Sequence, residues 1–396
     1  MNKNNKFQQP FEIVTQKFLS KIKYGELSVK FPSGSIRTFR GNTGDNIADL
    51  TINNYKFVSK IFKRKSIGFA ESYMDGDFSS SNLTNLLLLA FNNEKHFLEN
   101  LKSNIFFNIY SKLKHFLNEN TKAQSKKNIE YHYDLGNKFY TKWLDRSMTY
   151  SSAYFEDENE NLFDAQLKKY HKIAETLNLN ENSKVLEIGC GWGGFSTYAA
   201  KNFKSQIDAI TISKAQFEYA SDKIQKEGLG EKVSIKFKDY RDIENQYSNV
   251  ASIEMFEAVG KKYWEKYFDV VRNSLLNSGK AALQIITIDE KRSFKYQNQP
   301  DFIQQYIFPG GMLPTKKELF EINQKIGLNF RETSSFGLSY AKTLKMWNNQ
   351  FQNSWNDLVQ LGFNQRFKRM WEFYLAYCET GFISKSTDVS HFLINK

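Results

Sequence analysis

Cysteine and proline are scarce in this chain of 396 residues, which contains two cysteines, five prolines and no repeat or low-complexity tract. Cys190 and Cys378 lie far apart in the sequence, so they indicate neither a disulfide framework nor a zinc site. None of the five histidines falls at a metal-ligand spacing. We therefore expect a globular protein of the reducing cytoplasm that binds no metal.

Long apolar runs are also missing. No stretch of the sequence reaches the roughly 18 consecutive apolar residues that cross a bilayer. The opening MNKNNKFQQPF lacks the apolar segment of a signal peptide. If the protein acts at a membrane, we expect it to be cytoplasmic and peripherally associated with the inner face.

Aromatic residues and positive charge are abundant instead. The chain has 35 Phe and 21 Tyr, an aromatic content of 16% and a net charge of +12. Such a composition is typical of proteins that contact nucleic acid or an anionic membrane surface, and it does not decide between them. The basic residues form two clusters: Lys60, Lys63, Arg64 and Lys65, and Lys112, Lys114, Lys122, Lys126 and Lys127.

A glycine-rich turn follows a short apolar run in the sequence VLEIGCGWGG, residues 185–194. The apolar run predicts a buried parallel strand, and glycines at its carboxyl end let the backbone approach a ligand closely. The G-x-G-x-G spacing lacks the Lys-Ser/Thr of a phosphate-binding P-loop. It therefore favours a cofactor without phosphates, such as S-adenosylmethionine.

Strands and helices alternate around this turn. The predicted strands cover residues 185–188, 206–211, 233–237, 250–253 and 280–288. The predicted helices cover 214–227 and 261–276, the second ending at a cap formed by residues 277–279. This rhythm predicts an α/β fold with a doubly wound, mostly parallel sheet and a nucleotide site after its first strand.

A smaller α+β domain is expected at residues 1–120, before a catalytic domain at 121–396, with a charged linker near 118–128. Its predicted strands cover 26–31, 36–39 and 48–52, the first two joined by a hairpin turn. Its predicted helices cover 57–62 and 83–91, and residues 68–78 are expected to form a turn-rich surface segment.

Several motifs occur in a fixed order along the chain. They are ESYMDGD (71–77), YHYDLGN (131–137), MTYSSAYF (148–155), the glycine turn, TIS (211–213), DYRD (239–242), MFEAVG (255–260) and FIQQYIFPGG (302–311). Over almost its whole length the sequence resembles the cyclopropane-fatty-acyl-phospholipid synthase family, which includes the mycolic acid cyclopropane synthases.

The resemblance implies a class I methyltransferase (Rossmann-like) sheet and an enzyme dependent on S-adenosylmethionine. Its substrate would be the cis double bond of an unsaturated phospholipid acyl chain, and its product a cyclopropane. The implied partners are a phospholipid membrane surface and a second copy of the chain in a homodimer, with no nucleic acid. The N-terminal domain would serve lipid binding or oligomerisation.

This reaction sets the chemistry that the site must supply. The alkene attacks the sulfonium methyl group, which leaves a carbocation on the acyl chain. A base then removes a proton from the new methyl group and the ring closes. The site must therefore be apolar, rich in aromatic faces that tolerate a cation, and equipped with a protected base.

The cofactor residues follow from the resemblance. Those around the methionine and ribose would be Glu187, Gly189, Cys190, Gly191 and Gly193. Those that contact ribose hydroxyls and adenine after the second strand would be Thr211, Ile212 and Gln216. Tyr240 and Arg241 would flank the adenine, and Tyr150 and Ser151 would close over the cofactor.

The resemblance also implies bicarbonate as the bound base, held by a Cys, a Glu, a His and a Tyr. Glu257 and Tyr340 match the Glu and the Tyr, and Tyr340 is one group that could orient Glu257. Ser152 and Ile286 are interpreted as standing where the family has Cys and His. Ser152 and Gln284, which shares a strand face with Ile286, could still donate hydrogen bonds to an anion.

Cys378 matches a family cysteine and is a further catalytic candidate, although the chemistry needs no thiolate. Two alternatives remain open for the product and the class of substrate. Ser152 and Ile286 would suit a methyl- or methylene-branched acyl chain, and the same fold also serves small-molecule and nucleic-acid methyltransferases. A basic binding protein with a vestigial cofactor site is disfavoured by the intact glycine turn.

Overall fold

The computed structural model describes residues 5–98 and 135–396. The expected linker at 118–128, the second basic cluster and most of the YHYDLGN motif lie outside the described residues.

Residues 5–98, called here the N-terminal unit, form a small mixed sheet covered by helices. In chain order its elements are α1 (Asn5–Leu19), β1 (Tyr24–Lys30), β2 (Ile36–Arg40), β3 (Thr43–Ile52), α2 (Lys56–Met74), β4 (Phe78–Ser79), α3 (Leu83–Asn92) and α4 (Glu94–Leu98). The strand order is β2-β1-β3-β4. β1 and β2 pair in antiparallel fashion, which confirms the predicted hairpin, whereas β1 and β3 are parallel.

Residues 68–78 differ from the expected surface segment. α2 continues to Met74, and Gly68, Ala70 and Tyr73 are buried. The helix bends sharply at Lys65 (φ 52°), which brings residue 68 back alongside residue 60. The prediction was wrong because Gly68 and Asp75-Gly76-Asp77 suggested a turn, while Ile67, Ala70 and Met74 provide an apolar face that tertiary packing buries.

Residues 135–396, the catalytic unit, contain a seven-stranded sheet with helices on both faces. Its strands are β5 (Lys184–Ile188), β6 (Gln206–Thr211), β7 (Val233–Phe237), β8 (Tyr247–Ile253), β9 (Leu275–Ile288), β10 (Asn329–Ser335) and β11 (Thr387–Asn395). Its helices are α5 (Asn137–Tyr140), α6 (Leu162–Thr176), α7 (Gly194–Phe203), α8 (Lys214–Lys226), α9 (Trp264–Asn273), α10 (Glu290–Asn298), α11 (Phe302–Tyr306), α12 (Lys316–Lys325), α13 (Gly337–Asn353), α14 (Trp355–Gln360) and α15 (Gln365–Ile383).

The strand order β10-β11-β9-β8-β5-β6-β7 confirms the doubly wound fold. β9, β8, β5, β6 and β7 are mutually parallel, as predicted. β10 and β11 extend the sheet in antiparallel fashion beyond β9 and were not predicted. The change of direction between β5-β6 and β5-β8 places the glycine turn at the topological switch point.

The helix predicted at 261–276 is shorter in the structure, at both its start and its end. A 3₁₀ turn covers Lys261–Tyr263, α9 ends at Asn273, and β9 begins at Leu275. Residues 277–279 therefore lie inside β9 rather than in a helix cap. They accommodate an irregular register with β8, and Ser278 adopts φ 63° there.

Helix α15 joins the two units. Its Phe373 contacts Phe69 and Tyr73 of α2, with ring centroids 6.3 Å and 5.9 Å away. Tyr73 donates a hydrogen bond of 2.9 Å to Glu372. One apolar core therefore runs from the N-terminal sheet into the catalytic unit.

Within the two described ranges, no helix combines the length and the apolar character that crossing a bilayer requires.

Candidate active site

The glycine turn after β5 depends on backbone conformations that favour glycine. Gly189, Gly191 and Gly193 have φ of 82°, 53° and 78°. A Cβ on Gly189 would lie 2.6 Å from the Met255 side chain, whereas a Cβ on Gly191 would meet no atom within 4 Å. The backbone at Gly191 therefore borders open space, in front of the start of α7.

That space belongs to a cavity of about 1310 Å³. Almost all of the predicted cofactor residues line it: Tyr150, Ser151, Glu187, Gly189, Cys190, Gly191, Thr211, Ile212, Gln216, Tyr240 and Arg241. Gly193 is the exception, since it packs behind the turn, where its Cβ position is 3.3 Å from Ala220 of α8. The carboxyl ends of β5, β6 and β8 thus bring residues that are distant in sequence to one wall.

Glu187 is buried at the carboxyl end of β5 and accepts a hydrogen bond from Ser196 at the start of α7. Burial raises the pKa of Glu187 to about 7, although the hydrogen bonds of Ser196 and the charge of Lys169 oppose that rise. A carboxyl group held in this way can accept hydrogen bonds from ligand hydroxyls.

Asp239 is a site residue that sequence reasoning missed. It lines the cavity just beyond β7 and accepts hydrogen bonds from the Arg241 guanidinium at 2.8 Å and 2.7 Å. Arg241 lies over the Tyr240 ring, 5.3 Å from its centroid. The signal for Asp239 was its position after a strand in the DYRD motif.

Tyr150 and Ser151 enclose the cavity from the other side. The Tyr150 and Tyr374 hydroxyl groups are 2.8 Å apart, and the Tyr150 ring lies 5.2 Å from that of Trp347. Ser151 accepts a hydrogen bond of 2.6 Å from Lys169, a fully buried lysine of α6 that sequence reasoning also missed.

Two carboxyl groups, Glu254 and Glu257, line the cavity beyond β8. Glu257 accepts a hydrogen bond of 2.5 Å from the Ile286 backbone, while its second oxygen has no partner among the described residues. Burial, followed by the charge of Glu254, raises the pKa of Glu257 to about 8. Sequence reasoning named Glu257 and overlooked Glu254.

Glu254 accepts the hydrogen bonds that we expected a bound anion to accept. The Ser152 backbone N–H donates to Oε1 at 2.8 Å, the Gln284 amide donates to Oε1 at 2.6 Å, and the Tyr340 hydroxyl donates to Oε2 at 2.6 Å. Tyr340 therefore orients Glu254 and not Glu257, contrary to one sequence-based alternative.

The side chains of Ser152 and Gln284 do not line the cavity. The Ser152 hydroxyl donates to the Ala153 carbonyl at 2.8 Å. The Gln284 carbonyl oxygen lies 2.9 Å from Nε2 of His391, because β11 pairs with β9 in the register that sets His391 opposite Gln284. This pairing could not be predicted without β11.

Ile286 lines the cavity beside Glu257, and Cys378 also lines it. Burial, followed by the charge of Asp301, raises the pKa of the Cys378 thiol well above its usual range, so the thiol stays protonated at neutral pH. No group of three or more His, Cys, Asp or Glu side chains within residues 5–98 and 135–396 is placed to hold a metal ion.

The cavity continues into the N-terminal unit. Its wall there is apolar and includes Phe18, Leu19, Leu27, Leu50, Phe57, Leu86 and Leu89. Basic residues of both units also border it: Lys63, Arg64, Lys65, Lys95, Lys291, Arg292 and Lys295. One continuous space thus connects the glycine turn, the acidic pair and an apolar chamber.

Comparisons with known proteins agree with this geometry. The family "Mycolic acid cyclopropane synthetase" matches residues 120–392, and a domain of unknown function matches residues 14–102. The tuberculostearic acid methyltransferase UfaA1 of Mycobacterium tuberculosis is 35% identical over 83% of this chain and 79% of its own length. The cyclopropane-fatty-acyl-phospholipid synthase of Escherichia coli K12 is 33% identical over 86% of this chain and 85% of its own length.

Among solved structures, the mycolic acid cyclopropane synthase CmaA1 in complex with SAH and CTAB superposes with a TM-score of 0.64 at 26% identity, covering 68% of this chain and 98% of that chain. The sequence match spans more than half of the chain, and the methyltransferase sheet carries its glycine turn at the cavity. The chain therefore belongs to the mycolic acid cyclopropane synthetase family and is a methyltransferase that depends on S-adenosylmethionine.

Proposed function

We propose that the protein transfers a methyl(ene) group from S-adenosylmethionine to the cis double bond of an unsaturated phospholipid acyl chain and closes a cyclopropane ring. The observation that carries the proposal is the single cavity, which joins the glycine turn to an apolar chamber through a pair of buried acids. The Escherichia coli relative, named for this activity, supports it at 33% identity.

The residues present fit the cofactor. Open space in front of Gly191 admits a ligand against the backbone, and Glu187, Thr211 and Gln216 offer polar groups beside it. Arg241 and Tyr240 would contact the adenine, with Asp239 fixing the guanidinium. When bound, S-adenosylmethionine supplies an electrophilic methyl group.

The lipid chain would extend from the acidic pair into the N-terminal unit. The Phe and Leu side chains of that unit exclude water from the cavity. Burial of each methylene group of the lipid there would be favourable by about 0.8 kcal/mol. The aromatic rings of Tyr150, Tyr340 and Tyr374 line the reacting end and can stabilise a cationic centre.

Bicarbonate does not fit the residues that the resemblance implies for it. The Tyr340 hydroxyl, the Gln284 amide and the Ser152 backbone N–H already donate to Glu254. A second anion in this place would meet the charge of Glu254 and would find these three donors already engaged. We therefore derive no step through bicarbonate.

A branched product is the second candidate. UfaA1 of Mycobacterium tuberculosis is named a tuberculostearic acid methyltransferase, and its identity to this chain, 35%, is similar to that of the Escherichia coli synthase. The same methyl transfer could therefore end in a methyl- or methylene-branched acyl chain. A small-molecule substrate is less favoured, because it would leave the apolar chamber unused.

We also propose a cytoplasmic protein that associates with the inner face of the membrane through the basic border of the cavity. In the first basic cluster, Lys60 is paired with Asp75 and Asp77, and Arg64 with Glu71. Lys63 of the N-terminal unit and Lys291 of the catalytic unit are exposed at this border. We propose that these two side chains make the electrostatic contact with the membrane. Domains at 1–120 and 121–396 and a homodimer remain part of the proposal.

The test is product analysis. The purified protein is incubated with S-adenosylmethionine labelled in its methyl group and vesicles of unsaturated phospholipid, and the acyl chains are identified by mass and fragmentation. We expect a mass gain of one methylene with a ring at the former double bond. A branched chain would favour the second candidate, and label only in water-soluble products would contradict both.

A further inference from the structure

Glu254 adopts an unusual backbone conformation at the centre of the site. It follows β8 with φ 50°, a value that non-glycine residues rarely adopt, and its backbone N–H donates to the Gln284 carbonyl at 2.9 Å. Glu254 lines the same cavity as the glycine turn and Ile286. Strained residues of this kind persist where the surrounding structure holds them, often at functional sites.

The three donors to the Glu254 carboxylate come from separate parts of the chain, and a fourth part supports one of them. Ser152 precedes α6, Gln284 belongs to β9, Tyr340 belongs to α13, and His391 of β11 supports Gln284. Together they give the carboxylate three donors: one backbone N–H, one amide and one hydroxyl. Three donors satisfy a buried carboxylate well, and they fix the direction in which its remaining lone pairs face.

The hydrogen-bond donors favour the negative charge on Glu254 over Glu257. Burial raises the pKa of Glu254, and the hydrogen bonds from Tyr340 and Ser152, followed by the charge of buried Lys169, oppose that rise. Lys169 donates to Ser151 and Gln166 at 2.6 Å and 2.7 Å, and burial lowers its pKa to about 7. Glu257 has one backbone donor and one unpartnered oxygen. Of two neighbouring acids, the one with more donors ionises and the other keeps its proton.

We propose that Glu254 is the general base of the reaction and occupies the place that the resemblance implies for bicarbonate. This inference rests on the proposed function. The alkene π electrons form the bond to the transferred methyl carbon, the C–S electron pair returns to sulfur, and a cation remains on the acyl chain. Glu254 takes a proton from that methyl group, and the C–H electron pair closes the cyclopropane or forms a methylene double bond.

A carboxylate built into the protein has two consequences. Its charge lies beside the cationic centre before the reaction begins, so no reorganisation is required when the charge develops. The protonated carboxyl then passes its proton to water after the product leaves. Turnover should therefore need no added anion.

The first test compares turnover with and without bicarbonate. Wild-type protein is assayed with labelled cofactor and unsaturated vesicles in buffer freed of carbon dioxide and again with added bicarbonate. We expect less than a twofold difference, whereas Glu254→Gln should lose on the order of 10²–10⁴ in rate. Calorimetric affinity for S-adenosylmethionine and the melting temperature should stay close to wild type in that variant.

The second test restores the missing carboxylate from solution. Glu254→Gly removes the side chain, suits the positive φ and leaves the three donors facing an empty space. Formate or bicarbonate should then restore part of the rate in a saturable manner, and neither should affect Glu254→Gln, whose amide fills the space. Asp208→Asn is the control for Glu254→Gln, since it also replaces a hydrogen-bonded carboxylate by an amide. Asp208 accepts a hydrogen bond of 2.8 Å from the Tyr247 hydroxyl and does not line the cavity, so this variant should keep its rate.

The outcomes separate the inference from the proposed function. Wild-type turnover that requires bicarbonate overturns the inference alone, and so does full activity of Glu254→Gln. Loss of turnover in Glu257→Gln but not in Glu254→Gln would assign the base to Glu257 and also overturn it. A wild-type protein that labels no lipid under either condition overturns the proposed function, and the inference with it.

Discussion

Single backbone conformations decide much of what this site can bind. Gly191 borders the cavity with a positive φ and open space at its Cβ position, so the absence of a side chain leaves room for a ligand. Glu254 shows the reverse case, in which a side chain is kept at positive φ because three donors hold it.

Gly191→Val should weaken binding of S-adenosylmethionine by on the order of 100-fold, about 2.7 kcal/mol, because the new side chain would occupy the cofactor space. Calorimetry measures the affinity. Gly327→Val is the matched control, since Gly327 also has a positive φ (73°) and nothing within 4 Å of its Cβ position but lies outside the cavity. Equal affinities in the two variants would place the cofactor elsewhere.

Among the helices and strands, the bent helix α2 has the strictest steric requirement. A Cβ on Gly68 would lie 2.1 Å from the Lys60 carbonyl oxygen, which belongs to the backbone and cannot move aside easily. The bend directs Phe69 and Tyr73 toward α15 and Ile61 toward the cavity. α2 thus forms both a contact between the units and part of the chamber.

Gly68→Ala should destabilise the protein by about 1–3 kcal/mol, because overpacking outweighs the better helix propensity of alanine. The midpoint of urea unfolding measures the change. Ser66→Ala is the control, because Ser66 is exposed in the same helix and its substitution should cost less than about 0.5 kcal/mol. A stabilised Gly68→Ala would mean that the bend is absent in solution.

Across the whole molecule, the two units are linked by charge as well as by their shared core. Glu94 of α4 accepts hydrogen bonds from Arg292, at 2.8 Å, and from Lys295 of α10. Burial alone would raise the pKa of Glu94, but the hydrogen bonds and charges of Lys295 and Arg292 outweigh it and lower the pKa below 4.5.

A lowered carboxyl pKa stabilises the folded protein above the unfolded value, and that stability is lost as pH falls through the folded pKa. Glu94→Gln should therefore lower the melting temperature at pH 7, and the difference from wild type should shrink below about pH 4.5. Glu290→Gln, an exposed change on α10, the helix that carries Arg292 and Lys295, should show no such trend. A constant difference across the pH range would contradict the coupling.

Membrane contact is the second property of the whole molecule. Removing Lys63 and Lys291 together as Lys→Gln changes should weaken binding to anionic vesicles by about 30-fold, at about 1 kcal/mol for each charge. The loss should diminish at high salt, where the interaction is screened. Lys214→Gln with Lys226→Gln removes the same charge from exposed positions on α8 and is the co-sedimentation control. Vesicle binding that changes neither with salt concentration nor with anionic lipid content would contradict the electrostatic contact.

The sequence by itself determined the parallel sheet and the family, and it named most of the residues that line the cavity beside the glycine turn. Those features depend on local patterns: apolar runs that form buried strands, and glycines that must follow a strand to admit a ligand. Residues at the carboxyl ends of neighbouring parallel strands are brought together by the topology itself. Glu187, Thr211 and Tyr240 were named through the family resemblance, and all three line the cavity.

Only the tertiary structure decided which acid receives the hydrogen bonds. Glu254 differs from Glu257 through donors on α13, β9 and the segment before α6, and through His391 on a strand whose antiparallel pairing no local pattern indicated. The bend of α2 and the apolar chamber arise in the same way. Contacts between segments that are distant along the chain are set by packing and burial, which a single sequence does not display.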